Sequence, residues 1–451
     1  MILRPRLCRG LFAHYIKGWR RYDKWERERM KRDKKTSNRM KNVKLFIRVL
    51  VVVFCVGMFG MWIYAGVLKK NNQMADGESG IQTVFSEDIF HTFQSFFTEE
   101  VYQEKEAEVS EDELLLQSAI EAGENVLPIA CAEEEEVRLL FAGDVLLDEH
   151  YAVMANLIER GGNVEAAFST ELLEAMRSAD VFMLNNEFTF TNRGTPTAGK
   201  QFTFRADPGK VSLLQDMGVD VVSVANNHIY DYGEISLLDT LDTLEGAGIA
   251  YTGAGRDLEE AMKPVYLIAN GMKIGIISAT QIERNGTPDT KAATATTPGV
   301  LQCMDMANLL QVIREMKENC DYIVLYIHWG TESQEEIDWL QDEQAYAYAE
   351  AGVDLMIGDH PHCLQKIDKV SDVPVIYSLG NFWFNSKTQN SCMVEVVLKE
   401  KQLHTFRFIP CRQEDSRTRL LEGTEKQGVL NYMRGISPNV IIDEEGYVNF
   451  N

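Results

Sequence analysis

The sequence predicts an α/β domain with two packed sheets covered by helices, preceded by one transmembrane helix and a stalk. Three observations predict this architecture. From about Val137, strand-like and helix-like segments alternate to the end of the 451-residue chain. The last part of the chain has a hairpin-like pattern, which favours two packed sheets over a single doubly wound sheet. An apolar run without charges lies near the N-terminus.

The apolar run covers residues 49–68 and has the length of a membrane span. These 20 residues contain no charged side chain, and a helix of that length crosses a bilayer at ~1.5 Å per residue. Residues 1–48 carry 17 Lys and Arg against 4 Asp and Glu. We therefore expect an uncleaved signal anchor in the cell membrane, with the N-terminus in the cytoplasm and everything after residue 70 outside. A cleaved signal peptide fits worse, because the n-region is long and no small-residue cleavage site follows cleanly.

Charge differs sharply between residues 1–48 and the rest of the chain. We expect this basic cytoplasmic arm to lie on the anionic inner leaflet; a cytoplasmic protein partner is the alternative. Beyond the arm, 64 Asp and Glu outnumber 28 Lys and Arg, which argues against nucleic acid as a partner. Residues 69–136 are acidic and lack a clear alternating pattern. They are predicted as an extracytoplasmic stalk, and residues 137–451 as the folded domain.

The elements of the domain follow from the spacing of apolar residues and from chain breakers. The predicted strands are 137–143, 180–186, 220–226, 263–269, 272–278, 322–328, 353–358, 373–379, 392–398 and 404–410. The predicted helices are 207–217, 234–247, 305–319 and 336–351. The Thr-, Ala-, Gly- and Pro-containing stretch 283–299 is predicted as a long loop, either a lid over a site or an exposed excursion.

The eight cysteines form no CxxC pair, which excludes a zinc-ribbon or thioredoxin motif. Cys392 and Cys411 flank a predicted hairpin, and a disulfide is permitted outside the membrane. Free, buried cysteines are the simpler interpretation.

Polar side chains of metal-ligand type follow several predicted strands. In VVSVANNHIYDYG (221–233), an apolar strand runs into Asn226, Asn227 and His228, which are poor core residues. Such residues at the carboxyl edge of a sheet lie where α/β folds build their sites; the alternative is a helix N-terminal turn with a capping Asn. The other strand-end residues of this kind are Asp144, Asn185, Asn186, Glu187, His328, His360, His362 and Asn381.

Taken together, these residues predict a site for divalent metal ions. Carboxylates, an Asn amide oxygen and imidazoles suit Mn²⁺, Fe²⁺ or Zn²⁺, and a bridging carboxylate would hold two ions ~3.5–4 Å apart. His360 and His362, at i and i+2, are expected on the same face of an extended segment. Each histidine alone is more typical of a structural hydrogen-bonding role.

From about residue 137 to residue 412 the chain resembles the CapA family, bacterial capsule-synthesis proteins linked to poly-γ-glutamate. The matching stretches are FAGDVLLD, NNEFTF, FTFRADP, the long block from VVSVANNHIYDYG to EEAMKPV, IHWGTE, GDHPHCLQ and YSLGNFWF. That family is similar to the calcineurin-like metallophosphoesterases. The resemblance therefore implies a four-layer α/β/β/α sandwich with a dimetal site.

The resemblance also implies a role for individual residues. The implied metal ligands are Asp144, Glu187 (in place of the bridging aspartate), Asn227, His328, His360 and His362. His228 would protonate the leaving oxygen, and Asp231 would hold the tautomer of its imidazole.

Three positions depart from the phosphoesterase pattern. Leu146 occupies the place of the histidine in GDxH, so one ligand is missing unless His150 substitutes. Glu187 has a longer side chain than the usual aspartate. Asp359, directly before His360, is a ligand, a hydrogen-bond partner of a ligand or a helix cap.

We therefore expect a membrane-anchored, extracytoplasmic, metal-dependent hydrolase of CapA type. It would cleave a phosphoester, a γ-glutamyl bond or a related amide during biosynthesis or export of a capsule or envelope polymer. The expected partners are the membrane, an anionic polymer or its precursor, and membrane synthase or exporter subunits. The alternatives are a non-catalytic assembly factor that holds polymer ends in the same cleft, and a structural ectodomain whose histidines only form hydrogen bonds.

Overall fold

The computed structural model describes residues 110–281 and 290–450. The predicted transmembrane segment, the basic arm and most of the predicted stalk lie outside these residues. Within the described ranges, no helix combines the length and the apolar character needed to cross a membrane.

The helices of the described chain are α1 (Glu111–Glu121), α2 (Ala152–Glu159), α3 (Thr170–Ser178), α4 (Val211–Met217), α5 (Glu234–Ala247), α6 (Leu258–Ala261), α7 (Ala307–Asn319), α8 (Trp339–Ala351) and α9 (Gly423–Ile436). Its strands are β1 (Asn125–Pro128), β2 (Glu136–Val145), β3 (Val181–Asn186), β4 (Thr189–Phe190), β5 (Arg205–Ala206), β6 (Val221–Ser223), β7 (Ala250–Thr252), β8 (Ala254–Gly255), β9 (Val265–Ala269), β10 (Met272–Thr280), β11 (Gly299–Val300), β12 (Tyr322–His328), β13 (Leu355–Asp359), β14 (Ile367–Val370), β15 (Val373–Ile376), β16 (Asn381–Trp383), β17 (Gln389–Lys399), β18 (Gln402–Glu414), β19 (Arg417–Leu420), β20 (Ile441–Ile442) and β21 (Val448–Asn449).

Two mixed sheets form the centre of the domain. One has seven strands in the order β1-β9-β10-β12-β13-β15-β14, and the other has eight in the order β19-β18-β17-β2-β3-β6-β7, with β16 beside β2. The strands β10, β12 and β13 are parallel in the first sheet, as are β2, β3 and β6 in the second. Because parallel neighbours end at the same edge, each sheet presents three adjacent carboxyl ends.

The elements form four layers in the order helix, sheet, sheet, helix, and an apolar core lies between each two neighbouring layers. Between the sheets, Phe141 and Met183 of the eight-stranded sheet share a core with Ile276 and Val324 of the seven-stranded sheet. Helices α2 to α5 cover the outer face of the eight-stranded sheet, and α7 and α8 cover that of the seven-stranded sheet. The alternation of side chains along each strand sends successive apolar residues into the two layers. This layering agrees with the sequence prediction.

The folded unit begins earlier than the predicted boundary at residue 137. It extends from Glu111 to the C-terminus, and α1 packs against β1 and β9. Strand β1 pairs in parallel with β9, and Asp112 accepts hydrogen bonds from the backbone N–H groups of the turn after β9. Residues 111–136 therefore belong to the domain and not to a stalk.

The predicted helices are present, with shifts at their first residues. Helix α5 has the predicted bounds, whereas α8 begins at Trp339 because Asp338 caps it. The Asp338 carboxylate accepts hydrogen bonds from the N–H groups of Leu340 and Gln341. The Gln341 side-chain oxygen in turn accepts from the N–H of Asp338. The predicted helix 207–217 is a 3-10 turn, Pro208–Lys210, followed by α4.

The predicted hairpin near Cys392 and Cys411 is formed by β17 and β18, but the two thiols lie on opposite faces of the sheet. Cys411 is opposite Ser391, so Cys392 points the other way. Cys392 belongs to the core between the sheets, and Cys411 to the core under the helices. A disulfide between them is excluded, and the six cysteines of the described ranges are free.

The predicted loop 283–299 is described from residue 290 onward. Ala293 N–H donates to the carbonyl of Val300, and the carbonyl of Thr294 accepts from Leu258 N–H at the start of α6. This part of the loop is therefore fixed to the body of the domain. Residues 282–289 lie outside the described ranges.

Candidate metal centre

Side chains from both sheets meet where the parallel strands end. Asp144 near the end of β2 is the register partner of Asn185 in β3. In the other sheet, His328 at the end of β12 is the partner of Asp359 at the end of β13. All four side chains are buried.

The Asn226 side chain fixes the loop after β6 to strand β3. Its amide nitrogen donates to Asn185 Oδ1 and to the carbonyl of Asn186, both at 2.9 Å, and its Oδ1 accepts from the N–H of His228 at 3.0 Å. The strand predicted to reach residue 226 therefore ends at Ser223. Helix α5 begins only at Glu234, so neither asparagine of the loop caps it.

Glu187, His328 and His360 form one set of possible metal ligands, with one donor atom of each lying within 4.8 Å of the others. His328 Nε2 is 3.8 Å from Glu187 Oε1 and 3.0 Å from His360 Nδ1. Asn227 joins this set, because its Oδ1 lies 3.0 Å from His328 Nε2.

Asp144, Glu187 and His362 form a second set under the same distance limit. His362 Nδ1 lies 3.0 Å from Asp144 Oδ2 and 2.9 Å from Asn381 Oδ1. Glu187 is shared by these two sets, which is the position of a bridging carboxylate. Asp144, His328 and Asp359 form a third set under the same limit, so Asp359 also lies where a ligand could.

Asp359 lies beside His328 and does not cap a helix. Its Oδ1 is 2.9 Å from His328 Nδ1, and the chain continues from β13 to strand β14. A carboxylate that accepts a hydrogen bond from Nδ1–H leaves Nε2 of the imidazole without a proton and able to bind a metal ion.

His360 and His362 depart from the predicted extended geometry. Their φ angles are 94° and 57°, a region that residues other than glycine rarely adopt and that costs about 1–3 kcal/mol per residue. The prediction that they share one face of an extended segment is wrong. The tight turn instead gives one histidine to each ligand set.

The donor atoms fit a divalent cation. Both carboxylate oxygens of Glu187 are buried and have no hydrogen-bond partner among the described residues. Burial, together with the charges of Asp144 and Asp359, raises the pKa of Glu187 well above its usual range. Leaving a buried carboxylate without a hydrogen bond is costly, and a cation bound between the two sets would remove that cost. Nitrogen and oxygen donors in this mixture suit Mn²⁺, Fe²⁺ or Zn²⁺.

Protonation also suits metal binding at two of the predicted ligands. Burial lowers the pKa of His328 to about 3, so its imidazole is neutral and can act as a ligand. Burial alone would raise the pKa of Asp144, but His362, the charge of His328 and the hydrogen bond from Asn185 together lower it. Asp144 in turn raises the pKa of His362 against the effect of burial, so His362 must lose a proton when it binds a metal ion.

His228 and Asp231 form a hydrogen-bonded pair beside the ligand sets. His228 Nδ1 is 2.7 Å from Asp231 Oδ2, and His228 Nε2 is 3.9 Å from Glu187 Oε1. Burial lowers the pKa of His228, although Asp231 opposes this effect. The pair has the geometry in which Asp231 selects the Nδ1–H tautomer and Nε2 is directed to the site.

His150 does not substitute for the missing histidine of the GDxH pattern. Its side chain is 75% exposed and pairs with Asp148, away from both ligand sets. Leu146 is buried in the core under the helices, and its N–H donates to the carbonyl of Trp383. The set around Asp144 therefore has no further histidine from this strand.

Sequence reasoning missed Lys200 and Phe204, which lie against the pair of His228 and Asp231. Lys200 Nζ is 2.5 Å from Asp231 Oδ1, and the Phe204 ring centroid is 4.2 Å from that of His228. The stretch FTFRADP, which contains Phe204, contributes to the family resemblance, but an irregular loop has no periodic pattern that indicates a role for either residue.

Fold and site together define a four-layer α/β protein with a carboxylate, imidazole and amide centre at the carboxyl edges of its two sheets. The chain belongs to the bacterial capsule synthesis protein family PGA_cap, which matches residues 138–386.

Named relatives are found in two species of Bacillus. The chain is 33% identical to the PGA biosynthesis protein CapA of Bacillus subtilis (strain 168) over 217 residues, which are 47% of this chain and 56% of that protein. It is 26% identical to the capsule biosynthesis protein CapA of Bacillus anthracis over 334 residues, covering 70% of this chain and 77% of the relative. The match thus spans little more than half of the Bacillus subtilis protein.

Among solved structures, a hypothetical protein from Thermus thermophilus aligns with a TM-score of 0.37 and 12% identity, covering 61% of this chain and 100% of that one.

Proposed function

We propose that this chain is a divalent-metal-dependent hydrolase that acts in the biosynthesis or export of a capsule or related envelope polymer of the poly-γ-glutamate type. One observation carries the proposal: Glu187, buried and without a hydrogen-bond partner among the described residues, is shared by two sets of possible ligands. The helix–sheet–sheet–helix layering and the paired sets support a fold of the metallophosphoesterase type.

Seven side chains would hold or orient the metal ions. Glu187, Asn227, His328 and His360 would hold one ion, and Asp144, Glu187 and His362 the other. When bound, the ions would supply Lewis-acid activation of water and neutralise negative charge on the substrate. Asp359 would orient His328 by accepting a hydrogen bond from its Nδ1–H.

His228 would move the proton in this reaction. Its Nδ1 is engaged with Asp231, so Nε2, on the side of Glu187, is the nitrogen that would first accept a proton from the attacking water and then donate it to the leaving group. A positioned acid or base of this kind contributes about 10²–10⁴-fold to a rate.

The substrate class follows from the named relatives and from charge. The two Bacillus relatives are named for PGA and capsule biosynthesis, which supports a polymer with γ-glutamyl bonds or a phosphoester precursor. The chain beyond residue 48 is strongly acidic, so it repels a polyanion at long range. An anionic polymer would therefore bind at the cleft that holds the metal ions.

The proposed location is the cell membrane, with the domain outside. The uncharged run 49–68 and the basic residues before it support a single-pass anchor with a cytoplasmic N-terminus. Membrane synthase or exporter subunits are the proposed partners.

A non-catalytic assembly factor is the second candidate. The observation that favours it is the buried Leu146 with the exposed His150, because the ligand set around Asp144 then lacks one histidine of the phosphoesterase pattern. Such a protein would hold polymer ends at the same centre without cleaving them.

Hydrolysis assays on the purified full-length protein test the proposal. Phosphodiester and γ-glutamyl substrates are offered with Mn²⁺, Fe²⁺ or Zn²⁺, and turnover is expected for the wild type. His362→Ala is expected to abolish it, while the matched change His150→Ala leaves it intact. Metal binding without turnover on any substrate would favour the assembly factor.

A further inference from the structure

The segment 197–204, here called the clasp, holds the loop that carries His228 and Asp231. It has no helix or strand of its own. Thr197 N–H donates to the carbonyl of Asp231 at 2.8 Å, and the Thr197 hydroxyl donates to the carbonyl of Tyr230 at 3.2 Å. Phe204 N–H donates to Asp231 Oδ2 at 2.6 Å, and its ring packs on the imidazole of His228.

Lys200 is the charged residue of the clasp, and its side chain is 5% exposed. Its ammonium group donates to Asp231 Oδ1 at 2.5 Å and to the main-chain carbonyl of Asn227. A lysine is rarely buried to this degree unless it is paired. Both of these contacts fall on the loop that presents the predicted ligand Asn227 and the proton-transferring His228.

The contacts of Asp231 leave its carboxylate little freedom to rotate. One oxygen accepts from Lys200, and the other accepts from Phe204 N–H and lies 2.7 Å from His228 Nδ1. A carboxylate held in this way can only accept a hydrogen bond from His228, so the proton of the neutral imidazole lies on Nδ1. The imidazole is then fixed both in orientation and in tautomer.

We propose that Lys200 is a positioning residue for His228. By fixing Asp231 and the carbonyl of Asn227, it keeps the imidazole in the Nδ1–H tautomer with Nε2 directed to the metal centre. The inference rests on the proposed function only for the proton transfer assigned to His228. The positioning itself does not depend on a bound metal ion.

Lys210 provides a matched control for a substitution of Lys200. It also forms a lysine–carboxylate pair, 2.7 Å from Glu149 Oε1, but that pair is partly exposed and lies outside the clasp. The same change, Lys→Met, preserves the length of the apolar stem at both positions and removes the charge.

The test is nitrogen NMR of the full-length protein labelled with ¹⁵N-histidine, with His228→Gln used to identify the His228 signals. The wild type and Lys210→Met are expected to show a single Nδ1–H tautomer at His228. Lys200→Met is expected to lose it and show a mixture of tautomers. If Lys200→Met does not fold, Lys200→Gln, which is uncharged and shorter, supports the same comparison.

An unchanged tautomer in a folded Lys200 variant overturns the proposal, even where the melting temperature falls, because Lys200 would then only stabilise the fold. A wild type without the Nδ1–H tautomer overturns it as well. Failure of the proposed function would look different: no metal binding or no hydrolysis, with the tautomer still responding to the change at Lys200.

Discussion

Two regions of this domain gather carboxylates, and they differ in what balances the negative charge. In the Arg256 cluster, a single guanidinium group pairs with Asp242 at 2.7 Å, Glu245 at 3.1 Å and Glu260 at 2.5 Å. These side chains are all partly exposed to solvent. The chain itself supplies the cation that this cluster needs.

The metal centre gathers carboxylates without such a cation. Asp144, Glu187 and Asp359 are fully buried, and in the described part of the chain their ion-pair partners are histidines alone. The nearby ammonium of Lys200 is committed to Asp231. The Arg256 cluster thus contains its own cation, whereas the buried carboxylates of the candidate metal centre have none among the described residues, and we propose that a metal ion supplies it.

The largest expected effect is that metal ions stabilise the protein, and that this stabilisation depends on the candidate metal centre and not on the Arg256 cluster. At a metal concentration 100 times Kd, the free energy of unfolding of the wild type should rise by about 2.7 kcal/mol over that of the EDTA-treated protein. Glu187→Gln should lose this gain, because the shared ligand is gone. Glu245→Gln, the same change in the Arg256 cluster, should keep it. Denaturant unfolding with and without metal measures both, and equal gains in the two variants would break the comparison.

An intermediate effect is expected for the side-chain amide of Asn226, which is hydrogen-bonded both to strand β3 and to the N–H of His228. Asn226→Leu should lower the free energy of unfolding of the metal-free protein by about 1–3 kcal/mol, since it leaves buried partners in β3 and in the His228 loop unsatisfied. Asn192→Leu is a control, because that side chain pairs with Asp207 at an exposed position. Chemical denaturation of the EDTA-treated proteins makes the measurement. A loss of the same size in both variants would mean that burial of the Asn226 network adds nothing.

The smallest effect is expected within the Arg256 cluster itself. Glu245→Gln should change the free energy of unfolding by less than about 1 kcal/mol, because partly exposed ion pairs contribute little and salt screens them. The amide oxygen of glutamine can still accept from Tyr251 and Arg256. A loss of several kcal/mol in thermal or denaturant unfolding would show that this cluster carries as much energy as a buried centre.

Strand-end reasoning was enough to place most of the centre. The rule that parallel strands share an edge predicts that Asp144 meets Glu187 in one sheet and that His328 meets His360 in the other. The packing of the two sheets then brings both pairs together. Their binding of metal stays a prediction. Helix α5 was also predictable in full, because its apolar spacing is regular and glycines lie at both of its ends.

What the sequence did not predict depends on contacts between distant segments. Lys200 lies 27 residues from Asn227 and 31 residues from Asp231, in a loop with no periodic pattern. Strand β1 has four residues and ends in a proline, and it is a strand only because β9 pairs with it. The left-handed turn at His360 and His362 is likewise set by what surrounds it, since a positive φ is uncommon for any residue other than glycine.

The metal content of the purified full-length protein tests the central claim most directly. Elemental mass spectrometry of the wild type is expected to give about two equivalents of a divalent transition metal, one for each ligand set. Glu187→Gln should reduce this to background, and Glu245→Gln should not change it. A folded wild type without bound metal, or a Glu187→Gln variant with wild-type content, would contradict the view that this buried centre is completed by a cation from outside.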